Sequence, residues 1–319
     1  MKKIIFALLT LVFSIGLASC KSEDSYDIVV TMYTHYDFAK QIVGDEMSVK
    51  MLVPLGEGIH DFEATSQDMV LIENAKLFVY TSEHIDSWIT DPNALGGDDT
   101  IILNMEDSLE HEHDETEEEH VDETDDHDEE STDEHHHDED AHYWIDPHNS
   151  EHMIEFLLET IIEIDEENKD TYTANAQKII KEIDELAEDF ETYLEGKTNL
   201  PSIFVAGHNA FESLADHFGL EVVAVFDEFE PDAELTSAEL VSFSNKIKEA
   251  QANYLYLDAL ESPIAATAIK ENLEKENYDL EILTLYAYQN LTEEDFEKEL
   301  TYQDLLERNI NTFKIAIEG

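Results

Sequence analysis

The sequence predicts an α/β protein of two similar lobes, each built on a small, mostly parallel sheet flanked by helices and joined by one long α-helix. Three observations predict it. Short apolar runs alternate with amphipathic stretches in both halves, each half carries four such runs, and a long amphipathic stretch separates the halves.

The chain opens with Lys2 and Lys3, then an almost wholly apolar run over 4–17 that ends in Leu17, Ala18, Ser19 and Cys20. About 20 apolar residues are needed to span a bilayer, so this run reads as a secretory signal over 1–19. The Leu-Ala-Ser-Cys ending resembles a bacterial lipobox, which makes Cys20 the expected lipidated residue and 20–25 a tether. An uncleaved anchor with an incidental cysteine is the other reading. Cys20 is the only cysteine, so one chain has neither a disulfide nor a thiolate metal site, and any metal must sit on nitrogen and oxygen. Roughly 300 residues remain, enough for two ordinary domains.

In the first lobe, expected over 26–165, the strand-like runs are 28–32, 49–53, 77–80 and 101–103, with helix-like stretches such as 36–43 and 67–75 between them. The composition then shifts abruptly. Residues 106–140 hold 21 acidic residues, seven histidines and no Lys or Arg. Too little apolar surface is present to offset ordering entropy, so a disordered insert is expected. It is either a solvated acidic spacer or a weak metal-collecting loop. Its histidines, His111, His113, His120, His127, His135, His136 and His137, favour the loop.

From 149 to 194 the pattern is helical throughout, with Ile179, Ile180, Ile183, Leu186, Ala187, Phe190 and Leu194 at three- and four-residue steps. The linking helix proper is expected over 166–198, with Gly196 as its stop. A coiled-coil dimer would need a longer stripe, so a monomer is expected. The second lobe, 199–319, repeats the alternation. Its strand-like runs are 203–206, 222–226, 254–257 and 282–285, with helices over 210–218, 237–250 and 264–274.

Charge narrows the partners. Against 17 basic residues stand 78 acidic ones, a formal net charge of −61. Nucleic acid and adhesion to anionic lipid through the protein surface both need clustered Lys and Arg. A membrane contact is therefore expected only through the lipid anchor, and cations are the natural small partners.

His60 follows the run 49–53, His208 follows 203–206, and His142 follows the insert. Ligands of open α/β sheets lie beyond the carboxyl ends of the strands. Two lobes facing across a cleft would bring His60 and His142 from one side and His208 from the other. Three neutral imidazoles with an open or weakly filled fourth position suit zinc, whereas calcium and magnesium prefer oxygen alone. His35, His84, His148, His152 and His217 are expected to be structural.

These stretches resemble the zinc-specific substrate-binding lipoproteins of bacterial ABC transporters, a cluster with a rigid linking helix. The similar stretches are Tyr36 to Asp45, Met51 to Gly56 leading to His60-Asp61-Phe62-Glu63, His142-Tyr143-Trp144-Ile145-Asp146-Pro147, Gly207 to Phe211, and Leu291 to Asp295. The resemblance implies that His60, His142 and His208 are the metal ligands. Manganese-binding relatives usually carry a carboxylate where His208 stands. Gln289 stands where some relatives carry a carboxylate, so Gln289, water or a loop residue would complete the shell. Ile59 stands where some members carry Glu.

The resemblance implies an extracytoplasmic protein that captures Zn2+ as cargo and delivers it to a permease and its ATPase, without being an enzyme. Three rivals stand beside it: manganese or iron transport on the same fold, a surface adhesin or metal buffer, and a secreted zinc hydrolase. Against the hydrolase, the sequence holds no His-Glu-x-x-His or Gly-x-Ser-x-Gly element.

Overall fold

The computed structural model describes residues 25–113, 141–226 and 235–319, with side chains omitted over 110–113. The expected signal, Cys20 and most of the histidine-rich insert lie outside the described residues. Among the described residues, no helix is long and apolar enough to cross a membrane.

Two four-stranded sheets form, each wholly parallel and each with the same strand order. In the first lobe β1 (Ile28–Val30) lies between β2 (Val49–Met51) and β3 (Leu77–Tyr80), and β4 (Ile101–Asn104) closes the far edge. Helix α1 (Tyr33–Val43) connects β1 to β2, and α2 (Ser66–Asn74) leads to β3. In the second lobe the order is β6 (Val222–Phe226), β5 (Ile203–His208), β7 (Tyr254–Asp258) and β8 (Glu281–Leu285).

Alternation along the central strands decides which layer each residue enters. Ile28, Val30, Leu77 and Val79 point to one side, into a core shared by both lobes, as do Ile203 and Val205. Their neighbours Val29, Phe78 and Tyr80 pack with Leu71 and Ile72 of α2 on the outer face. Phe204 and Ala206 do the same against Phe243 and Ile247 of α6 (Ser237–Ala250) and Ile269 and Leu273 of α7 (Ile264–Glu274).

The stretch over 149–194, helical by pattern, divides into two helices close to the expected start of the linking helix at 166. Helix α3 (Pro147–Ile164) ends at Asp165, whose φ of −153° and ψ of 72° leave the helical region. Asp165 Oδ2 accepts from Asn168 Nδ2 at 2.9 Å and from the Tyr172 hydroxyl at 2.6 Å, holding a short 3-10 turn over Glu166–Asn168. The linking helix α4 then runs Lys169–Leu194, 26 residues, about 39 Å at 1.5 Å per residue. It buries Tyr172, Ala176, Ile179, Ile183, Ala187 and Phe190 in the shared core. Ile180, Leu186 and Leu194 of the expected stripe are half-buried against that core.

Two further departures matter. The insert does not begin as an irregular loop at 106, since a 3-10 helix covers Met105–His113 and packs along α3, with Met105 and Ser108 buried. A C-terminal helix α9 (Tyr302–Glu318), absent from the sequence expectations, follows α5 (Glu212–His217) and α8 (Glu293–Glu297) in chain order. Its start carries a capping box between Thr301 and Asp304, a legible signal. Tyr302, Leu306, Ile310 and Phe313 enter the shared core, where α9 touches α4, α1 and β8. It therefore joins the lobes rather than belonging to one.

Candidate metal centre

Each of the three expected ligands is held by bonds that cross between chain-remote segments. His60 sits in the loop after β2. Ile59 beside it is buried in the shared core, and the loop is pinned from the second lobe, where Gly56 N donates to Leu291 O at 2.8 Å. Asn290 Nδ2 donates to Pro54 O at 2.7 Å and Glu57 O at 2.9 Å. The apolar Ile59, standing where the resemblance puts Glu in some members, thus anchors the loop by burial.

His142 precedes a 3-10 turn, Tyr143–Ile145. The Tyr143 hydroxyl donates to Thr81 O at 2.9 Å, just past β3, which places His142 at the carboxyl edge of the first sheet. Trp144 Nε1 donates across to Ala287 O at 2.9 Å, and the Tyr302 hydroxyl to Trp144 O at 3.1 Å. Burial and the adjacent His208 and His60 rings hold the His142 pKa well below the usual histidine value.

His208 is the last residue of β5, which runs two residues beyond the expected 203–206. A register irregularity against β6 between Val205 and His208 re-aims the strand end. His208 Nδ1 lies 2.6 Å from Glu261 Oε1, while its Nε2 is buried with no hydrogen-bond partner.

One nitrogen from each of His60, His142 and His208 lies within 4.8 Å of the other two. The ring centroids are 5.6, 5.5 and 5.2 Å apart. Tetrahedral contacts of 2.0–2.1 Å would bring such nitrogens to about 3.4 Å of one another. Side-chain shifts on the order of 1 Å therefore suffice for all three to share one ion. Gln289, 5% exposed, lines with His60 and His208 a cavity of about 620 Å³, and its Oε1 is buried with no hydrogen-bond partner.

Residues 28–316 match the family described as ZnuA, the periplasmic component A of a zinc-uptake complex. The chain belongs to this family. It is 29% identical over 327 residues to the high-affinity zinc uptake system protein ZnuA of Bacillus subtilis, covering 98% of this chain and 96% of that one. It is 30% identical over 319 residues to the zinc-binding lipoprotein AdcA of Streptococcus pneumoniae, where it spans 98% of itself but 61% of the longer relative. Among solved structures, the metal-dependent lipoprotein YcdH of Bacillus subtilis superposes with a TM-score of 0.71 at 25% identity, covering 91% of this chain and 98% of that one. The Zn(II)-bound ZnuA-like domain of Streptococcus pneumoniae AdcA has the same fold, at a TM-score of 0.71 and 24% identity, with 92% and 100% covered.

Within this ZnuA-family chain the other described histidines stand apart from the cluster. His217 ties three helices together, with Nδ1 2.9 Å from Asp146 Oδ1 and Nε2 3.5 Å from Glu191 Oε1. Burial opposes its protonation, but the Asp146 hydrogen bond and the charges of Asp146 and Glu191 outweigh it and raise its pKa. His35 is fully buried in α1, where burial lowers its pKa to about 3. His148 and His152 lie ring to ring, 4.9 Å apart, on α3. Two contributors were missed in the sequence, Glu261 and Asn290. An acidic residue among 78 carries no signal of its own, and Asn290 acts 236 residues away along the chain.

Proposed function

We propose that this chain captures Zn2+ as cargo between its lobes and delivers it to an ATP-driven importer outside the cytoplasmic membrane. The observation that carries this is the convergence of three buried or half-buried imidazoles, from segments far apart in sequence, to within 4.8 Å. A nitrogen set without a carboxylate in the group suits zinc over the harder manganese. Gln289 or water completes the shell as a weak fourth contact, a neutral amide being a poor zinc ligand. Capture and transfer, rather than catalysis, is the role, and the protein acts as a monomer tethered by a lipid on Cys20.

The insert over 106–140 gathers zinc weakly and raises its concentration near the cleft. Release requires a second state with lower affinity, favoured by the permease. The shared core and the linking helix oppose a wide hinge. Displacement of the His60 loop, pinned from the other lobe through Asn290 and Leu291, is the smaller motion that opens the triad.

The test is competition titration of zinc and manganese into protein lacking residues 114–140, beside the same protein carrying His208→Ala. One tight zinc equivalent, preferred over manganese and lost in the variant, is expected. Unchanged zinc binding by His208→Ala would remove the site, and tighter manganese binding would remove the choice of cargo.

A further inference from the structure

The metal triad leaves one strong contact unexplained, the pairing of His208 with Glu261. We propose that Glu261 is a positioning residue for the zinc site. Its carboxylate holds the His208 proton on Nδ1 and so turns the Nε2 lone pair toward the point shared with His60 and His142. This rests on the proposed capture of zinc by the three histidines.

Neutral imidazole has one nitrogen that donates and one that accepts, and whichever nitrogen meets a carboxylate must donate. Glu261 Oε1 is 2.6 Å from Nδ1, the short range of a charge-assisted bond. Nε2, on the opposite edge of the ring, is buried and unpartnered, which leaves it as the nitrogen for the ion. Glu261 does not belong to the group whose ligand atoms all lie within 4.8 Å. Its carboxylate therefore acts through the ring and is not itself a ligand. Partners of this kind orient metal-binding histidines and raise their basicity.

The surroundings are shaped for this approach. Glu261 follows β7 in a tight turn, its N–H donating to Asp258 O at 3.1 Å. The buried Asp258 side chain fixes that turn by accepting from Leu260 N and Ala287 N, each at 2.8 Å. On the other side, the Glu261 carboxylate fills the space a Cβ would occupy at Gly207, closer than any real contact. Gly207 has no left-handed backbone that would otherwise call for glycine. Its missing side chain serves the approach of the carboxylate to the neighbouring His208. The carboxylate borders the same cavity as His60, His208 and Gln289, within reach of solvent.

The experiment uses the mature chain and four variants, Glu261→Ala, Glu261→Gln, Gly207→Ala and His208→Ala. Zinc affinity is measured by competition with a chromophoric chelator. Absorption of the Co2+-loaded protein and the tautomer of the His208 ring, by long-range nitrogen–proton NMR of the metal-free protein, complete the readouts. Expected are a 10–100-fold weaker zinc affinity in Glu261→Ala and a similar loss in Gly207→Ala. Glu261→Gln, which keeps an acceptor, restores most of the affinity. The Co2+ bands of Glu261→Ala keep their positions, and its His208 loses the pure Nδ1–H form. Wild-type affinity in Glu261→Ala, or Co2+ bands that report a lost oxygen ligand, would overturn the positioning role. If His208→Ala itself binds zinc as the wild type does, it is the three-histidine site that fails.

Discussion

Asn290 Nδ2 donates to the carbonyl of Pro54 at 2.7 Å, so a side chain of the second lobe fixes the loop that carries His60. The same amide reaches Glu57 O at 2.9 Å, and Asn290 is 4% exposed. Both carbonyls belong to one lobe and the amide to the other.

Asn290→Ala should therefore loosen the His60 loop with little effect on the lobes themselves. The lost hydrogen bonds cost about 1–3 kcal/mol. Zinc affinity should fall about tenfold, as when a supporting contact behind a ligand is removed. Chelator competition and urea unfolding of the metal-free protein measure the two effects. Unchanged zinc affinity would show that the loop holds itself.

His35 offers a stability test away from the site. Both its ring nitrogens are buried without a hydrogen-bond partner, and burial lowers its pKa to about 3. Because the unfolded chain, with a histidine pKa near 6.5, takes up the proton first, stability on this account falls as pH drops from about 6.5 toward 3. Buried Asp37, Asp86 and Asp258, raised by burial to about 7, 6 and 6, act with the opposite sign, their contribution falling as pH rises. His35→Leu isolates the histidine. It should be more stable than wild type, with the gap widening by about 2 kcal/mol between pH 7 and pH 5, at about 1.4 kcal/mol per pH unit below 6.5. Melting curves across that range check it, and a constant gap would refute it.

Deleting 114–140 should leave the tight zinc site and the fold intact while removing the weaker equivalents. The cut must begin after His113, because Met105 and Ser108 are buried and the 3-10 helix over Met105–His113 packs along α3. A deletion from 106 should lower the melting temperature, and one from 114 should not. Calorimetric titration counts the zinc equivalents. Loss of the tight one would make the insert part of the site.

Phe190 of α4 is fully buried, with ring centroids 4.7 Å from Phe218 and 6.2 Å from Phe313 of α9. Phe190→Ala should cost about 3–5 kcal/mol, the range for emptying a packed aromatic site. The linking helix joins the shared core there, so a single cooperative transition should shift as a whole. Separate melting of the two lobes in denaturant would contradict one continuous core.

Much of the fold was legible because local pattern and burial agree. Helices α6 and α7 span the residues that periodicity indicates, and β3 and β6 coincide with their apolar runs. The boundary near 165 was expected but its cause was not legible, since Glu and Asp elsewhere in the same stretch sit inside helices. There it is two hydrogen bonds, from Asn168 and Tyr172, that take the chain out of register. Helix α9 could have been found from Thr301 and Asp304. Its role in joining the lobes could not, because that depends on α1 and α4 lying on either side of it.

For this protein, sequence alone settled the kind of sheet, the halves, and the residue types at the strand ends, because alternation, apolar run length and side-chain chemistry are local properties. The expectation of imidazole nitrogen as the donor set came from there being one cysteine and histidines at the edges of both lobes. Packing decided the rest: which nitrogen of His208 is left without a partner, which carboxylate meets the other, and which amide pins the His60 loop. Those contacts join residues 53 and 236 positions apart. Their distances are set by how helices and sheets stack around a shared core, and no local property encodes that stacking.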